Sequence, residues 1–355
     1  MRRFFLATIL APVIIVLTSA TGLATTTLYG GIGRGSAQNA GYLITIDQTN
    51  GSGTVVGHPD SVPGLSGLAF DLTGALYGST ISGPPGSGTS NLVRINPDTG
   101  AQIYSVPITL SGVPVGVNDL AVQPGTNILF GTIATNEVTT LLVMIDKITG
   151  VATLRAVINN AGGAIAFAPN GTLYETSTNF ANGTGFLNTI DPQTGAILTS
   201  NATDEFYGGL AVRADGVIFA SGGMEGDIDI LNPDGTSVGL GSTGVGGVGD
   251  LDFRSMTAFT ACLQDDSNGN ILFYNATTGD YLFTNCHGVA LSGTAQVLSK
   301  GSYITLQQYG TDRYLLVKID GAQHKGTASL RLLSNGTTFS IIDRDTTNDT
   351  CVCGG

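Results

Sequence analysis

The chain has no tryptophan, and glutamate and lysine occur only four times each in 355 residues, against 22 aspartates and 52 glycines. Glutamate and lysine are strong helix formers and glycine is a poor one, so this balance starves helices and suits short strands joined by tight turns. Basic residues are also scarce. The formal charge is −12, which excludes the electrostatic footprint of a nucleic-acid binder and disfavours contact with an anionic membrane surface. Beyond residue 17 the sequence has no apolar run long enough to span a membrane.

Arg2 and Arg3 precede an apolar run from Phe4 to Leu17, followed by small residues at Ala20 and Ala24. This is the order of a secretory signal peptide over residues 1–24, so a secreted, periplasmic or cell-envelope product is expected. The Arg-Arg-x-Phe-Leu order of Arg2 to Leu6 has some likeness to a twin-arginine signal, but the short basic stretch favours ordinary secretion. Without Arg2 and Arg3 the charge becomes −14; residues 25–255, with 18 acids and six bases, hold −12 of it.

Between Leu28 and Phe253 one unit recurs five times. Its first strand reads Gly67-Leu68-Ala69-Phe70, Asp119-Leu120-Ala121-Val122, Ala164-Ile165-Ala166-Phe167, Gly209-Leu210-Ala211-Val212 and Asp250-Leu251-Asp252-Phe253. After a tight turn comes a second strand, as in Leu76-Tyr77-Gly78, Leu129-Phe130-Gly131, Leu173-Tyr174-Glu175 and Ile218-Phe219-Ala220. A third strand ends in Asp47, Asn96, Asp146, Asp191 or Asn232, with a glycine close behind at Gly51, Gly100, Gly150, Gly195 or Gly235. That is the chemistry of an Asx turn closed by a residue at positive φ. A fourth strand follows. Four short strands per unit make a propeller blade.

The copies are also out of phase with the ends. The region begins on a second strand, Leu28-Tyr29-Gly30, and stops after a first strand, Leu251 to Phe253. Pairing of these two would close a five-bladed β-propeller over residues 25–255 and leave no free sheet edge. An open solenoid or sandwich is the competing architecture.

After Ser255 the period is lost. Residues 256–355 carry all four cysteines and a charge of −2, and read as a small antiparallel sandwich or barrel, with strands such as Ile271 to Tyr274, Tyr281 to Thr284 and Tyr314 to Ile319. In an exported chain Cys262, Cys286, Cys351 and Cys353 are expected in disulfides, with a C-terminal cysteine tied back to Cys262 or Cys286, since Cys351 and Cys353 are too close to bridge without strain. A zinc site using Cys286 and His287 is the alternative.

The connections alternate between short, stereotyped turns and longer, variable loops, and binding usually lives on variable loops held by a rigid scaffold. Candidate ligand-binding residues on the variable side are His58, Asp60, Asp119, Tyr207, Glu225 and Asp250. If the chain is an enzyme, Asp119 and Asp250 with Asp60, Asp204 or Glu205 would surround the channel mouth, as a general acid and base pair or as ligands of Ca²⁺. Asp227, Asp229 and Asp252 are weaker metal candidates; Asp252 stands where the other copies have Ala69, Ala121, Ala166 and Ala211. For each of these acids a plainer role competes, as a solvated loop charge or as an acceptor for a neighbouring backbone N–H.

The unit formed by Leu76 to Gly78, Leu92 to Gly100 and Gly67 to Gly74 resembles the exported bacterial propellers of the YncE, NHL and streptogramin-lyase types. The resemblance covers Leu28 to Ser255 and implies the fold, not an activity. Streptogramin lyases use histidines with a carboxylate and Mg²⁺, whereas His58 is the only histidine of this region; quinone-dependent propellers use tryptophan-rich repeats, absent here. The expectation is therefore a non-catalytic exported binding or scaffold protein, without a required cofactor, that contacts a protein, peptide or surface polymer. The alternative is a propeller hydrolase of lactonase or glycosidase type; a self-assembling envelope protein is a third possibility.

Overall fold

The computed structural model describes residues 26–344 except 61, 73, 81, 83–87, 137, 223–225, 255–260, 266, 268, 275–279, 285–289, 295, 300–302, 310–312, 321–325 and 333–335. Residues 1–24, where a signal peptide is expected, and Glu225, Cys286, Cys351, Cys353 and His287 lie outside the described residues. Among the described residues every regular element is a strand, and no helix is long and apolar enough to cross a membrane.

In chain order, β1 (Thr27–Ile32), β2 (Leu43–Ile46) and β3 (Gly53–Gly57) begin a first sheet. A second sheet holds β4 (Leu65–Phe70), β5 (Leu76–Thr80), β6 (Asn91–Ile95) and β7 (Gln102–Pro107). A third adds the short pair β8 (Thr109–Leu110) and β9 (Val113–Pro114) to β10 (Asp119–Val122), β11 (Leu129–Asn136), β12 (Thr139–Ile145) and β13 (Val151–Ile158). A fourth contains β14 (Gly162–Phe167), β15 (Leu173–Asn179), β16 (Thr184–Ile190) and β17 (Ile197–Thr203). A fifth contains β18 (Tyr207–Val212), β19 (Ile218–Gly222), β20 (Asp227–Leu231) and β21 (Ser237–Ser242). Finally β22 (Val248–Arg254) returns to the first sheet and pairs with β1 antiparallel, Leu28 opposite Phe253 and Tyr29 opposite Asp252. The first strand of each repeat is thus the innermost strand of its sheet.

Apolar residues alternate along these strands, so each sheet offers an apolar face to both neighbours. Five separate cores result, each shared by two consecutive sheets. Leu68 and Tyr29 belong to the core between the first and second sheets, Ala69 and Leu120 to the next, and Ala121 with Ile165 to the one after. Ala166 packs with Leu210 between the fourth and fifth, and Phe219 packs with Phe253 and Leu28 between the fifth and the first. Burying each Leu or Phe in such a core contributes about 1.5–3 kcal/mol.

The Asp/Asn turns set the spacing between sheets. At Asp146 the carboxylate accepts the N–H groups of Ile148 and Thr149, and Gly150 follows with φ +72°. A Cβ on Gly150 would lie 2.4 Å from the Pro107 carbonyl oxygen of the preceding sheet. The equivalent approach recurs at every repeat: Gly100 against Gly57, Gly195 against Val157, Gly235 against Ala202, and Gly51 against Gly241 of the fifth sheet.

One element departs from the repeat. The connection after β7 forms the β8–β9 hairpin, and β8 adds in parallel to the outer strand β13 of the next sheet.

The remaining strands are β23 (Ala261–Asp265), β24 (Asn270–Tyr274), β25 (Asp280–Thr284), β26 (Ala290–Thr294), β27 (Gln296–Ser299), β28 (Tyr303–Tyr309), β29 (Arg313–Asp320), β30 (Gly326–Leu332) and β31 (Thr338–Asp343). They form two antiparallel sheets, β23 to β26 and β27 to β31, around one core that includes Leu263, Tyr274, Tyr281, Leu315 and Leu330. Edges β23 and β31 are tied reciprocally: Gln264 N–H donates to Asp343 and Ile342 N–H to Asp265. Cys262 is buried on β23 and disulfide-bonded.

Candidate functional site

The innermost strands leave one edge without a strand partner, so their inward N–H groups need acceptors from elsewhere. Aspartates supply them. Asp119 accepts Leu120 N–H at 2.8 Å and Ile165 N–H of the next sheet at 2.5 Å. Asp250 accepts Leu68 N–H at 2.6 Å and Leu210 N–H at 3.3 Å, and so bridges the second and fifth sheets. Lower on the axis, Asp252 accepts Phe70 N–H at 2.5 Å and Phe253 N–H at 2.7 Å. Small residues at the equivalent positions, Gly67, Ala164 and Gly209 in one layer and Ala69, Ala121, Ala166 and Ala211 in the other, leave room for these carboxylates.

Asp119 and Asp250 also touch each other through their carboxyl groups. Both are buried, at 1 % and 0 % exposure. Burial pushes the Asp119 carboxyl up to about 7 despite its N–H partners. The Asp250 carboxyl is raised well above its ordinary value, by burial first and then by the charge of Asp119. Two carboxylates in contact without water share a proton. Asp252 is raised to about 7, again by burial.

The enzyme reading of the sequence expects Asp119 and Asp250 around an open channel mouth; the structure brings them together but buries them, as acceptors of backbone N–H groups. The reason is the demand of the inward N–H groups, which draw the acids away from solvent. The axial cavity, of about 260 Å³, lies below them, toward the short turns; Asp71 and Asp252 are the two acids in its lining. Asp71 is committed to Lys147, whose Nζ lies 3.0 Å from it.

The other expected site residues scatter. His58 Nε2 contacts the Val62 carbonyl at 3.1 Å and its ring packs on Tyr42. Asp60, Asp204 and Glu205 are exposed on loops, apart from the buried pair. Tyr207 is buried and donates its hydroxyl to Asp229 at 2.9 Å, while Asp227 is exposed on the same strand. Among the described residues no group of three or more His, Cys, Asp or Glu side chains is placed to hold a metal ion.

A second site went unread in the sequence. In the first three sheets the third residue of the second strand is Gly30, Gly78 or Gly131, packed beneath Val248, Leu65 or Val117. In the fourth sheet that residue is Glu175, and the covering position is Gly162, where a Cβ would meet Glu175 Oε1 at 2.2 Å. The carboxyl occupies the slot an aliphatic side chain fills elsewhere. Its Oε2 accepts Asn160 Nδ2 at 2.6 Å and Asn188 Nδ2 at 3.1 Å. Asn188 also donates to Ser177 Oγ at 2.8 Å. Burial pushes Glu175 up to about 7. The signal was available: Leu173-Tyr174-Glu175 breaks the Leu-Tyr-Gly triplet, and Asn188 stands where the first three sheets have Ile44, Val93 and Val143. Beside this network a cleft of about 380 Å³ opens between the loops of the third and fourth sheets.

No model of a protein family matches the chain, and no curated protein matches it in sequence. Solved structures similar to it include a nidogen/laminin complex, at 16 % identity over 73 % of this chain and 89 % of that one, with a TM-score of 0.41. A gluconolactonase from Xanthomonas campestris matches at 15 % identity over 71 % and 88 % of the two chains, TM-score 0.39. A virginiamycin B lyase from Staphylococcus aureus matches at 11 % over 79 % and 94 %, TM-score 0.33. At these values none of them bears on activity here. The chain is all-β, of propeller type, and its own strand order carries that statement.

Proposed function

We propose that the chain is an exported, non-catalytic binding scaffold whose residues 25–255 form a closed five-bladed propeller. In this reading the variable loops contact a protein, peptide or surface polymer, residues 1–24 are removed on export, and residues 256–355 form a separate disulfide-containing module. The ring is supported by three observations: the β22–β1 pairing, the five cores shared between consecutive sheets, and the Gly51 approach to Gly241.

The observation that carries the function is the state of Asp119 and Asp250. Their oxygens accept backbone N–H groups of Leu120 on Asp119's own strand and of β4, β14 and β18, and both side chains are buried. A general acid or base must come within hydrogen-bond reach of its substrate. Here the acids fasten sheets instead. Asp252 reaches the axial cavity without a second free carboxyl beside it, since Asp71 is held by Lys147.

The purified chain, incubated with panels of lactones and glycosides with and without Ca²⁺, is expected to give no turnover. Turnover that disappears in Asp250→Asn while the variant stays folded would establish the hydrolase reading in its place.

A further inference from the structure

Among the described residues that line the cleft between the third and fourth sheets, none has an ionisable side chain. Amides and hydroxyls of Asn160, Asn188, Ser177 and Ser200 share it with the rings of Phe180 and Phe186. Phe180 is 63 % exposed on the β15–β16 connection and gives the cleft an accessible aromatic face. At about 380 Å³ the cleft falls at the lower end of the range for small-molecule sites, roughly 300–1,000 Å³.

Two of the lining residues, Asn160 and Asn188, are held from behind by Glu175. Glu175 Oε2 takes the amide nitrogens of both Asn160 and Asn188, which turns the two amide oxygens the other way. Asn160 Oδ1, Asn188 Oδ1 and Glu175 Oε1 are then buried acceptors with no donor among the described residues. Asn188 is 1 % exposed, so its orphaned oxygen is not a solvated surface group. Such a set calls for a ligand rich in hydrogen-bond donors. The amides and hydroxyls among the described lining residues suit a neutral one, and the exposed ring suits one with an apolar face.

We propose that this cleft is a binding site for neutral saccharide units, with Phe180 stacking on a sugar ring and Asn160, held by Glu175, engaging its hydroxyls. Asn160 is half-buried on the loop between β13 and β14 and lines the cleft together with Asn188. The proposal rests on the binding-scaffold reading and names the chemistry of its surface polymer.

The test uses the full chain on an array of neutral α- and β-linked oligosaccharides of hexoses and N-acetylhexosamines, with the best binder then titrated calorimetrically. Phe180→Ala, which removes an exposed ring, and Asn160→Ala are each expected to weaken binding tenfold or more without altering the circular dichroism. A blank array overturns the proposal. Binding that ignores both substitutions overturns this site but leaves a scaffold that holds sugars elsewhere. Cleavage of the bound saccharide supports the site and instead overturns the non-catalytic reading.

Discussion

At the residue scale the axial acids make stability run against the usual direction with pH. Asp119 and Asp252 titrate near 7 in the folded chain, against an ordinary value of 3.8, so the native state keeps protons that the unfolded chain has already lost. Their contribution is fully present below about pH 4 and is lost as pH rises through 7. Urea midpoints are expected to fall between pH 5 and pH 8, and Asp252→Asn, which keeps the side-chain shape without a titrating proton, should flatten the fall. Lys147 contributes through an ion pair instead. It faces Asp71 at 3.0 Å and lies over the Tyr77 ring, with side-chain exposures of 15 % and 5 % for the pair. Lys147→Ala would strand a buried carboxylate, and about 3 kcal/mol of stability should disappear in equilibrium unfolding at neutral pH, the low end for a broken buried pair because the lysine is partly wetted.

At the scale of the element, the turn that follows each third strand was legible from sequence because its chemistry is local. An Asp or Asn, two or three residues and a glycine specify the Asx turn wherever they occur, and Asp47, Asp146 and Asp191 all make it. The β8–β9 hairpin was not legible: Thr109–Leu110 and Val113–Pro114 are too short for a periodic signal, and the strand that β8 joins, β13 of the next sheet, is distant in sequence. The axial acids stand between these cases. Their matching positions at the start of the first strand were visible in the repeat alignment, but their contact and burial depend on N–H groups contributed by three other repeats, which no local window contains. Gly150→Ala puts the turn itself to the test. A positive φ costs about 1–2 kcal/mol for alanine, and the contact with Pro107 adds to it, so thermal or chemical unfolding should show a loss above that range.

At the scale of the whole molecule, the ladder between β1 and β22 brings residues 27 and 254 opposite one another. Cysteines introduced together at Thr27 and Arg254 should therefore oxidise to a bridge without disturbing the sheets. By loop entropy the gain could approach about 5 kcal/mol, an upper figure because strain and residual structure reduce it. A difference in unfolding midpoint with and without reductant measures it, and failure of the bridge to form would contradict the ring.

The same ladder also orders events during synthesis. The opening strand of the first sheet leaves the ribosome with no neighbour on its inner side, and the segment that will cover it emerges more than two hundred residues later. Until then the nascent chain presents an unpaired β edge, a template for wrong pairing with another copy. A chain interrupted before Val248 would keep that edge permanently, so premature termination should yield aggregates rather than a smaller working protein.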